Sequence, residues 1–171
     1  MDTRGGAGTV TTVEERWSAD DLCALRAEYE PLRRFAAVIG RWEVEPDDLV
    51  QEAFAKVLAK APAQIRDLGP YLRRIVVNLV ADERRRFGRA SNAAPLIAVD
   101  IAAHDSYPSD LSDLLGLPPR VRALLYLVEV EGHQIAPAAS VVGMSSSNAR
   151  VALLRARRRL RAELSKESTG E

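Results

Sequence analysis

The chain of 171 residues is 47% hydrophobic and 28% charged, and its 24 basic residues balance its 24 acidic ones. This composition excludes a largely disordered protein and suits one ordinary domain or two small helical ones. The only cysteine, Cys23, excludes an internal disulfide and favours a cytoplasmic location, and no apolar run or signal-peptide core predicts a membrane span or export.

The first forty residues predict a tail followed by a helix. Residues 1–15 are rich in Gly and Thr and lack helical periodicity, so we expect a mobile tail. Ser18 is a suitable cap for a helix that Gly40 ends, and Pro31 is expected to bend or split that helix. Because leucines flank it closely, Cys23 is expected to be a core residue.

Residues 47–90 predict two amphipathic helices joined by a short polar loop, with the sequence DDLVQEAFAKVLAKAPAQIRDLGPYLRRIVVNLVADERRRFGRA. Pro46 and the Gly69–Pro70 pair fit the first turns of the two helices. The outward face of the first helix is acidic and comprises Asp47, Asp48, Gln51 and Glu52. In the second helix the apolar stripe leaves Arg73, Arg74, Asn78, Asp82, Arg85 and Arg86 on or near a basic open side.

Residues 90–112 differ in composition from the helices on either side. They contain two prolines and three acidic residues, and they lack Lys and Arg. Their apolar patches are too short to form a pair of packed helices. We therefore expect a flexible linker between two domains.

The carboxy-terminal part predicts a helix-turn-helix. Pro118 and Pro119 open a helix that Gly132 ends, and residues 137–142 form a short helix before a turn at Gly143. Ser145 or Ser146 then caps a longer helix that runs to about Leu164. Its inward residues are expected to be Ala149, Ala152, Leu153, Ala156 and Leu160. The side available to a DNA major groove carries Arg150, Val151, Leu154, Arg155, Arg158 and Arg159, and an exposed leucine suits contact with a thymine methyl group.

Charges are separated along the chain although their total is zero. Residues 14–52 contain eleven acidic residues and five arginines, residues 71–90 contain six arginines and two acidic residues, and residues 148–161 contain six arginines and no acidic residue. This separation indicates two kinds of partner, one positive and one polyanionic. Solvation of helix faces is the alternative, and a GC-rich genome would also enrich arginine over lysine.

Two of these stretches, in this order, resemble the extracytoplasmic-function (ECF) sigma factors of bacterial RNA polymerase. DDLVQEAF followed by YLRRIVVNLVADERRR is similar to sigma region 2, and the sequence from Leu117 onward is similar to region 4. The resemblance implies an all-α fold of two small helical domains joined by a flexible linker. Its divisions are a tail at 1–15, region 2 at 16–89, the linker at 90–112, region 4 at 113–166 and a tail at 167–171. The chain departs from the family at Pro137-Ala138-Ala139, where Glu-Ile-Ala is common, and at Leu58, where tryptophan is frequent.

The resemblance also implies partners and contact residues. Core RNA polymerase would be bound through the clamp helices of its largest subunit and the flap of its second largest, and the clamp contacts would be Asp48, Leu49, Gln51 and Glu52. The minus-ten promoter element would meet Gln64, Arg66, Asp67, Asn78, Asp82, Arg85 and Arg86. The minus-thirty-five element would meet Ser145, Ser146, Ser147, Asn148, Arg150, Val151, Leu154, Arg155 and Arg158. An anti-sigma factor that holds the protein inactive is a further partner that the resemblance allows.

The same residues also bear on other classes of function. A DNA-binding regulator that acts outside the polymerase has no need of the DDLVQEAF helix, and a protein-interaction module would have lost DNA binding. The chain lacks a Gly-rich phosphate loop and a Cys/His cluster, and His104 and His133 fall in a linker and a turn. The acidic residues near Asp47 form a solvated helix end more readily than a metal site. We therefore expect no catalysis, no cofactor and no bound metal.

Overall fold

The computed structural model describes residues 16–40, 44–93 and 116–167, and within these ranges every regular element is helical. The amino-terminal half contains α1 (Ala19–Ala27), α2 (Tyr29–Ile39), α3 (Pro46–Leu58), a 3₁₀ turn (Pro62–Gln64) and α4 (Leu68–Ala93). The carboxy-terminal half contains α5 (Pro119–Leu125), a π-helical turn (Tyr126–Val130), α6 (Ile135–Val142) and α7 (Ser146–Glu167). The all-α prediction is confirmed. The predicted tail at 1–15 and most of the predicted linker lie outside the described residues.

The residues predicted to begin, split and end the first helical stretch do so in the structure. The Ser18 hydroxyl accepts a hydrogen bond from the Asp21 backbone N–H at 3.1 Å, and the Asp21 carboxylate accepts one from the Ser18 backbone N–H. The expected split occurs at Glu28, where α1 ends. Pro31 is the third residue of α2, and its missing N–H removes a hydrogen bond that would have continued α1. Gly40 ends α2 as predicted.

The core of the amino-terminal half lies where α2, α3 and α4 meet. Its buried residues are Leu32, Phe35, Ala36, Ile39, Leu49, Val50, Ala53, Val57, Leu72, Val76, Val77 and Val80. The prediction that Cys23 belongs to this core is wrong, because Cys23 is exposed. In α1 the buried residue is Leu25, and two residues correspond to about 200° of rotation, so Cys23 points the other way.

Trp17 is a core residue that the sequence analysis missed. Its side chain is 3% exposed, and its indole Nε1 donates a hydrogen bond to the Lys60 carbonyl at 3.0 Å. It lies just before the first periodic stretch, so no helical pattern marks it. The contact joins the start of the amino-terminal half to the segment that follows α3.

The carboxy-terminal half is built around the turn between α6 and α7. Gly143 ends α6 with a φ of 68°, a left-handed conformation that favours glycine. The buried residues of this half include Leu124, Leu127, Ala138, Val142, Ala149 and Leu153. α6 begins at Ile135, two residues before the predicted start at Pro137, and α7 ends three residues beyond Leu164.

The two halves pack against each other through what we term the interdomain seam, formed by Phe35, Arg73, Arg122, Tyr126 and Glu131. The rings of Phe35 and Tyr126 meet edge to face with centroids 5.6 Å apart. The Arg122 side chain is 3% exposed and donates hydrogen bonds to the Ile39 and Gly40 carbonyls across the seam. Helices α2 and α4 both contact α5. The sequence, read as two domains on a flexible linker, did not predict this packing.

Replacing Trp17 should separate its packing contribution from its hydrogen bond. We expect Trp17→Ala to lower the free energy of unfolding by about 3 to 5 kcal/mol, because a large side chain leaves a cavity in the core. Trp17→Phe should cost about 1 kcal/mol, since it loses mainly the bond to the Lys60 carbonyl. Urea denaturation monitored by circular dichroism measures both changes in the free energy of unfolding. Equal unfolding midpoints for Trp17→Ala and the parent would contradict the burial of Trp17.

Candidate polymerase and DNA interfaces

The first two turns of α3 present a polar face to solvent. Asp48, Gln51 and Glu52 are all exposed. Leu49 is only 3% exposed and packs in the core, so its side chain does not belong to this polar face, and its assignment as a polymerase contact stays a prediction. Leu49 instead holds the helix against the core while its polar neighbours face outward. The Lys56 ammonium lies 3.3 Å from the Glu52 carboxylate, an exposed pair of small energetic value.

A polar cluster that the sequence analysis missed attaches the start of α3 to α2. The Tyr29 hydroxyl donates a hydrogen bond to Asp47 Oδ1, and Arg33 Nε donates to the same oxygen at 3.1 Å. These bonds, that of Tyr29 above all, lower the pKa of Asp47, and the bond to Asp47 raises the pKa of Tyr29. The Tyr29 ring also meets Phe54 edge on, with centroids 6.2 Å apart. The cluster therefore sets the direction in which the polar face of α3 points.

The open side of α4 carries charges of both signs around an amide. Arg74, Asn78, Asp82 and Arg85 are exposed and recur at steps of three or four residues, so they share one face of the helix. Arg85 Nη2 lies 2.7 Å from Asp82 Oδ1. Arg86 belongs to the same helix, but its side chain is outside the described part.

Arg73 does not lie on this open side, and the prediction that it does is wrong. The residue is 8% exposed, with Nη1 3.0 Å from Glu28 Oε2 and Nη2 2.9 Å from Glu131 Oε1. Gly69, one turn earlier, leaves room for this arrangement, because a Cβ there would come within 3.1 Å of both Arg73 Nη1 and Glu28 Oε1. Arg73 therefore belongs to the interdomain seam.

The loop between α3 and α4 presents the three predicted polar residues together. Gln64, Arg66 and Asp67 are all exposed. Two contacts support the start of the loop: the Lys60 carbonyl accepts the Trp17 hydrogen bond, and the Lys60 ammonium lies 5.5 Å from the centroid of the Tyr71 ring. The loop thus connects α3, which has an acidic face, to α4, which has a basic face, and these two contacts hold its first residues in place.

The start of α7 is capped as predicted. The Ser145 hydroxyl accepts a hydrogen bond from the Asn148 backbone N–H at 3.2 Å, which identifies Ser145 as the cap in preference to Ser146. The outer face that follows is exposed at every predicted position: Arg150, Val151, Leu154, Arg155, Arg158 and Arg159. Leu154 and Val151 are 49% and 46% exposed, values that stand out for large apolar side chains. This face therefore combines arginines with uncovered apolar groups.

Two arginines of α7 are held by the protein itself. Arg157 Nη2 lies 2.6 Å from Glu129 Oε1, and Arg159 Nη1 donates to the Gly116 carbonyl at 3.1 Å. The basic run RARRRLR therefore does not act as one uniform patch. Arg157 and Arg159 brace α7 against the preceding segment, while Arg150, Arg155 and Arg158 are exposed side chains suited to a partner.

Across residues 16–40, 44–93 and 116–167, no group of three or more His, Cys, Asp or Glu side chains is arranged to hold a metal ion. Among the helices of those same ranges, none has the length and apolar character needed to cross a membrane.

Comparison with known families matches both halves of the chain. The sigma-70 region 2 family matches residues 25–90 and the sigma-70 region 4 family matches residues 114–160, together more than half of the chain. The ECF RNA polymerase sigma factor SigM of Mycobacterium tuberculosis is 29% identical over 163 residues, which cover 91% of this chain and 82% of that protein. The ECF RNA polymerase sigma factor SigE of Mycolicibacterium smegmatis is 29% identical over 165 residues, 89% of this chain and 63% of that protein.

Solved structures show the same fold. The sigma factor RpoE of Bartonella quintana, in complex with the anti-sigma factor NepR, matches with a TM-score of 0.71 at 24% identity and covers 86% of this chain and 98% of that one. CnrH, in complex with the cytosolic domain of CnrY, matches with a TM-score of 0.60 at 23% identity and covers 87% and 90%. Because both sigma-70 regions match in order along one chain whose similar proteins are ECF sigma factors, this chain belongs to the extracytoplasmic-function group of the sigma-70 family.

Proposed function

We propose that this sigma factor binds its partners through three separate exposed faces. As an ECF sigma factor the protein binds core RNA polymerase and directs it to promoters. In the proposal, the polar face of α3 binds the polymerase, the open side of α4 with its preceding loop reads the minus-ten element, and the outer face of α7 reads the minus-thirty-five element. The observation that carries the proposal is the exposure of these residues as three separate sets, each on a helix whose other side is buried.

The polymerase contact rests on Asp48, Gln51 and Glu52. An acidic, amide-bearing face suits a basic helical surface such as the clamp helices of the largest subunit, where several moderate polar contacts fix orientation. A regulator that acts outside the polymerase is not favoured, because it would have no use for this face. The carboxy-terminal half would make a second contact, with the flap of the second-largest subunit.

The minus-ten contact rests on the loop residues Gln64, Arg66 and Asp67 and on Asn78 of α4. A base removed from its stack must be held in a shaped pocket and read on its hydrogen-bonding edge, which amide, guanidinium and carboxylate groups can do. Asp82 and Arg85 lie farther along the same face of α4 and would contact the DNA strand next to that base. Arg86 is assigned to this contact by its position in the helix.

The minus-thirty-five contact rests on the outer face of α7. Arg150 and Arg155 would lie nearest the bases, because arginine pairs with two acceptors on a guanine edge. Val151 and Leu154 would meet thymine methyl groups. Ser145, Ser146, Ser147 and Asn148 surround the first turn, where hydroxyl and unpaired backbone N–H groups can bind phosphate and set the angle of the helix. Arg158, farther along, would contact phosphates.

The two working domains would span residues 16–89 and 113–166, joined by a linker at 90–112. The protein would act in the cytoplasm, without catalysis of its own and without a cofactor. An anti-sigma factor would hold the protein inactive, a proposal supported by the sigma factor RpoE, which has the same fold and was solved in complex with the anti-sigma factor NepR.

Removing the polar contacts of α3 should weaken binding to core polymerase. We expect Gln51→Ala combined with Glu52→Ala to reduce the affinity about tenfold, equivalent to about 1.4 kcal/mol, and to leave α3 folded because alanine is a good helix former. Glu30→Ala is the matched control, since it also removes one negative charge, from an exposed position on α2. Pull-down with purified core polymerase and run-off transcription measure the effect. Equal binding by the double variant and the control would disprove this assignment.

Asn78 should act in strand opening more than in initial binding. We expect Asn78→Ala to slow open-complex formation about tenfold, because a held base loses a hydrogen-bonding partner, and to change initial promoter binding less than about twofold. Arg74→Ala should do the reverse, since it removes general attraction to phosphate. Permanganate footprinting of open complexes and filter binding of closed ones separate the two effects. An Asn78→Ala variant with normal opening would remove Asn78 from the minus-ten site.

Two arginines of α7 should respond differently to the upstream sequence. Arg150→Ala should flatten the preference among upstream sequences by about 1 to 3 kcal/mol, the usual value of an arginine–guanine pair. Arg158→Ala should weaken binding to all of them about equally and reduce the salt dependence. Binding to a small panel of upstream duplexes at two salt concentrations tests both. If the two variants behaved alike, α7 would be a nonspecific basic clamp.

A further inference from the structure

The segment between α3 and α4, which we term the minus-ten loop (residues 59–67), is anchored in its middle. The Ile65 backbone N–H donates a hydrogen bond to the Pro62 carbonyl at 2.9 Å, which closes the 3₁₀ turn. The Ile65 side chain is partly buried and packs against the core, whereas Gln64 and Arg66 on either side of it are exposed. The anchored isoleucine therefore leaves its polar neighbours in contact with solvent.

The first end of the minus-ten loop is held by side chains that precede α1. The last carbonyls of a helix have no partner farther along the helix, and Ala59 and Lys60 directly follow α3. Arg16 Nη1 donates to the Ala59 carbonyl at 3.3 Å, and Trp17 Nε1 donates to the Lys60 carbonyl at 3.0 Å. Arg16 is exposed and Trp17 is buried, so water competes less for the bond of Trp17.

The two ends of the minus-ten loop are also joined to each other. The Lys60 ammonium lies 5.5 Å from the centroid of the Tyr71 ring, and Tyr71 is in the first turn of α4. A cation above an aromatic ring is attracted to it. The Tyr71 backbone N–H also donates to the Asp67 carbonyl at 3.2 Å. Because these contacts tie the ends together, fewer conformations are open to the residues between them.

We propose that Trp17 and Tyr71 are positioning residues for the minus-ten contact, and that they hold the minus-ten loop in the conformation from which Gln64, Arg66 and Asp67 read a base. This inference rests on the proposed function, because it assumes that the loop reads the minus-ten element. Trp17 lies before residue 25, where the match to sigma-70 region 2 begins. Part of the promoter preference is therefore assigned to a residue outside the matched region.

A loosened loop should lower promoter preference more than general DNA affinity. A loop that must be ordered on binding has a lower apparent affinity, in proportion to the fraction of molecules already in the reading conformation. A preferred sequence bears this loss because it is read by the loop. A disfavoured sequence is held mainly by the attraction of exposed arginines to phosphate and bears less of it. The ratio between the two affinities should fall.

Trp17→Phe tests the hydrogen bond at the first end of the minus-ten loop. The variant keeps an aromatic ring and removes the N–H donor, so the ratio between the best and the worst minus-ten sequence should fall about fivefold. Ser18→Ala is the matched control, because it removes a capping bond of similar strength from α1 and should keep the ratio. Holoenzyme binding to promoters that differ only in the minus-ten element measures both. Equal ratios in the two variants would overturn the role of Trp17.

Two substitutions of Tyr71 test the contact across the minus-ten loop. Tyr71→Leu removes the ring below the Lys60 ammonium and should lower the same ratio about threefold. Tyr71→Phe keeps the ring and removes only the hydroxyl, so it should retain the parent's ratio. If Tyr71→Phe lowered the ratio as much as Tyr71→Leu, the hydroxyl group would be responsible and Tyr71 would lose its assigned role.

Hydrogen exchange measures the conformation of the minus-ten loop without DNA. In the free protein, the backbone amides of residues 61–67 should exchange about fivefold faster in Trp17→Phe than in the parent, because the loop leaves its held conformation more often. Ser18→Ala should leave their exchange unchanged, although it loses comparable stability. Parent-like exchange in Trp17→Phe would show that Trp17 does not hold the loop.

Arg66→Ala separates this inference from the proposed function. If Arg66→Ala changes the minus-ten preference and Trp17→Phe does not, the loop reads the promoter and the positioning role of Trp17 is wrong. If neither Arg66→Ala nor the corresponding variants of Gln64 and Asp67 change the preference, the proposed minus-ten contact is wrong, and the role of Trp17 in promoter reading is wrong with it. A change in all of these variants, with Ser18→Ala like the parent, is the result we expect.

Discussion

The packing of the two halves depends on the hydrogen-bond acceptors of the buried Arg122 guanidinium. Its guanidinium donates to the Leu117 carbonyl in its own half and to the Ile39 and Gly40 carbonyls in the other. Those last carbonyls end α2, where backbone oxygens lack helical partners and the helix dipole is negative. A guanidinium buried without acceptors costs several kcal/mol, so each half supplies what the other needs while they are packed.

Arginine serves two purposes in this protein, and the difference lies in position. Arg73, Arg122, Arg157 and Arg159 bind acceptors within the chain and hold helices in place. Arg74, Arg150, Arg155 and Arg158 are exposed on helix faces that carry amides or apolar groups beside them. Mutation of the first group should therefore act through stability or domain packing, and mutation of the second through binding.

Helix α4 takes part both in the packing of the two halves and in the proposed minus-ten face. It contacts α2 and α3 on one side and α5 and α6 of the other half, while Asn78 and Arg85 face solvent. The seam and the proposed minus-ten face therefore lie on one helix, with Arg73 on its buried side and Asn78 on its open side.

The sequence by itself determined the helices, their caps and the exposed sets of residues on α3, α4 and α7. Ser18, Gly40 and Gly143 act as predicted because caps and turns depend on a few neighbouring residues, and periodicity separates a buried from an exposed face within one helix. The family, too, could be inferred from ordered motifs. Tertiary structure alone decided that Arg73 turns into the seam, that Arg122 and Trp17 are buried and that the halves pack together. The reason is physical: each of these outcomes depends on a partner distant in the sequence, such as Glu131 for Arg73 or the Lys60 carbonyl for Trp17, and a local pattern carries no information about which distant group will be near.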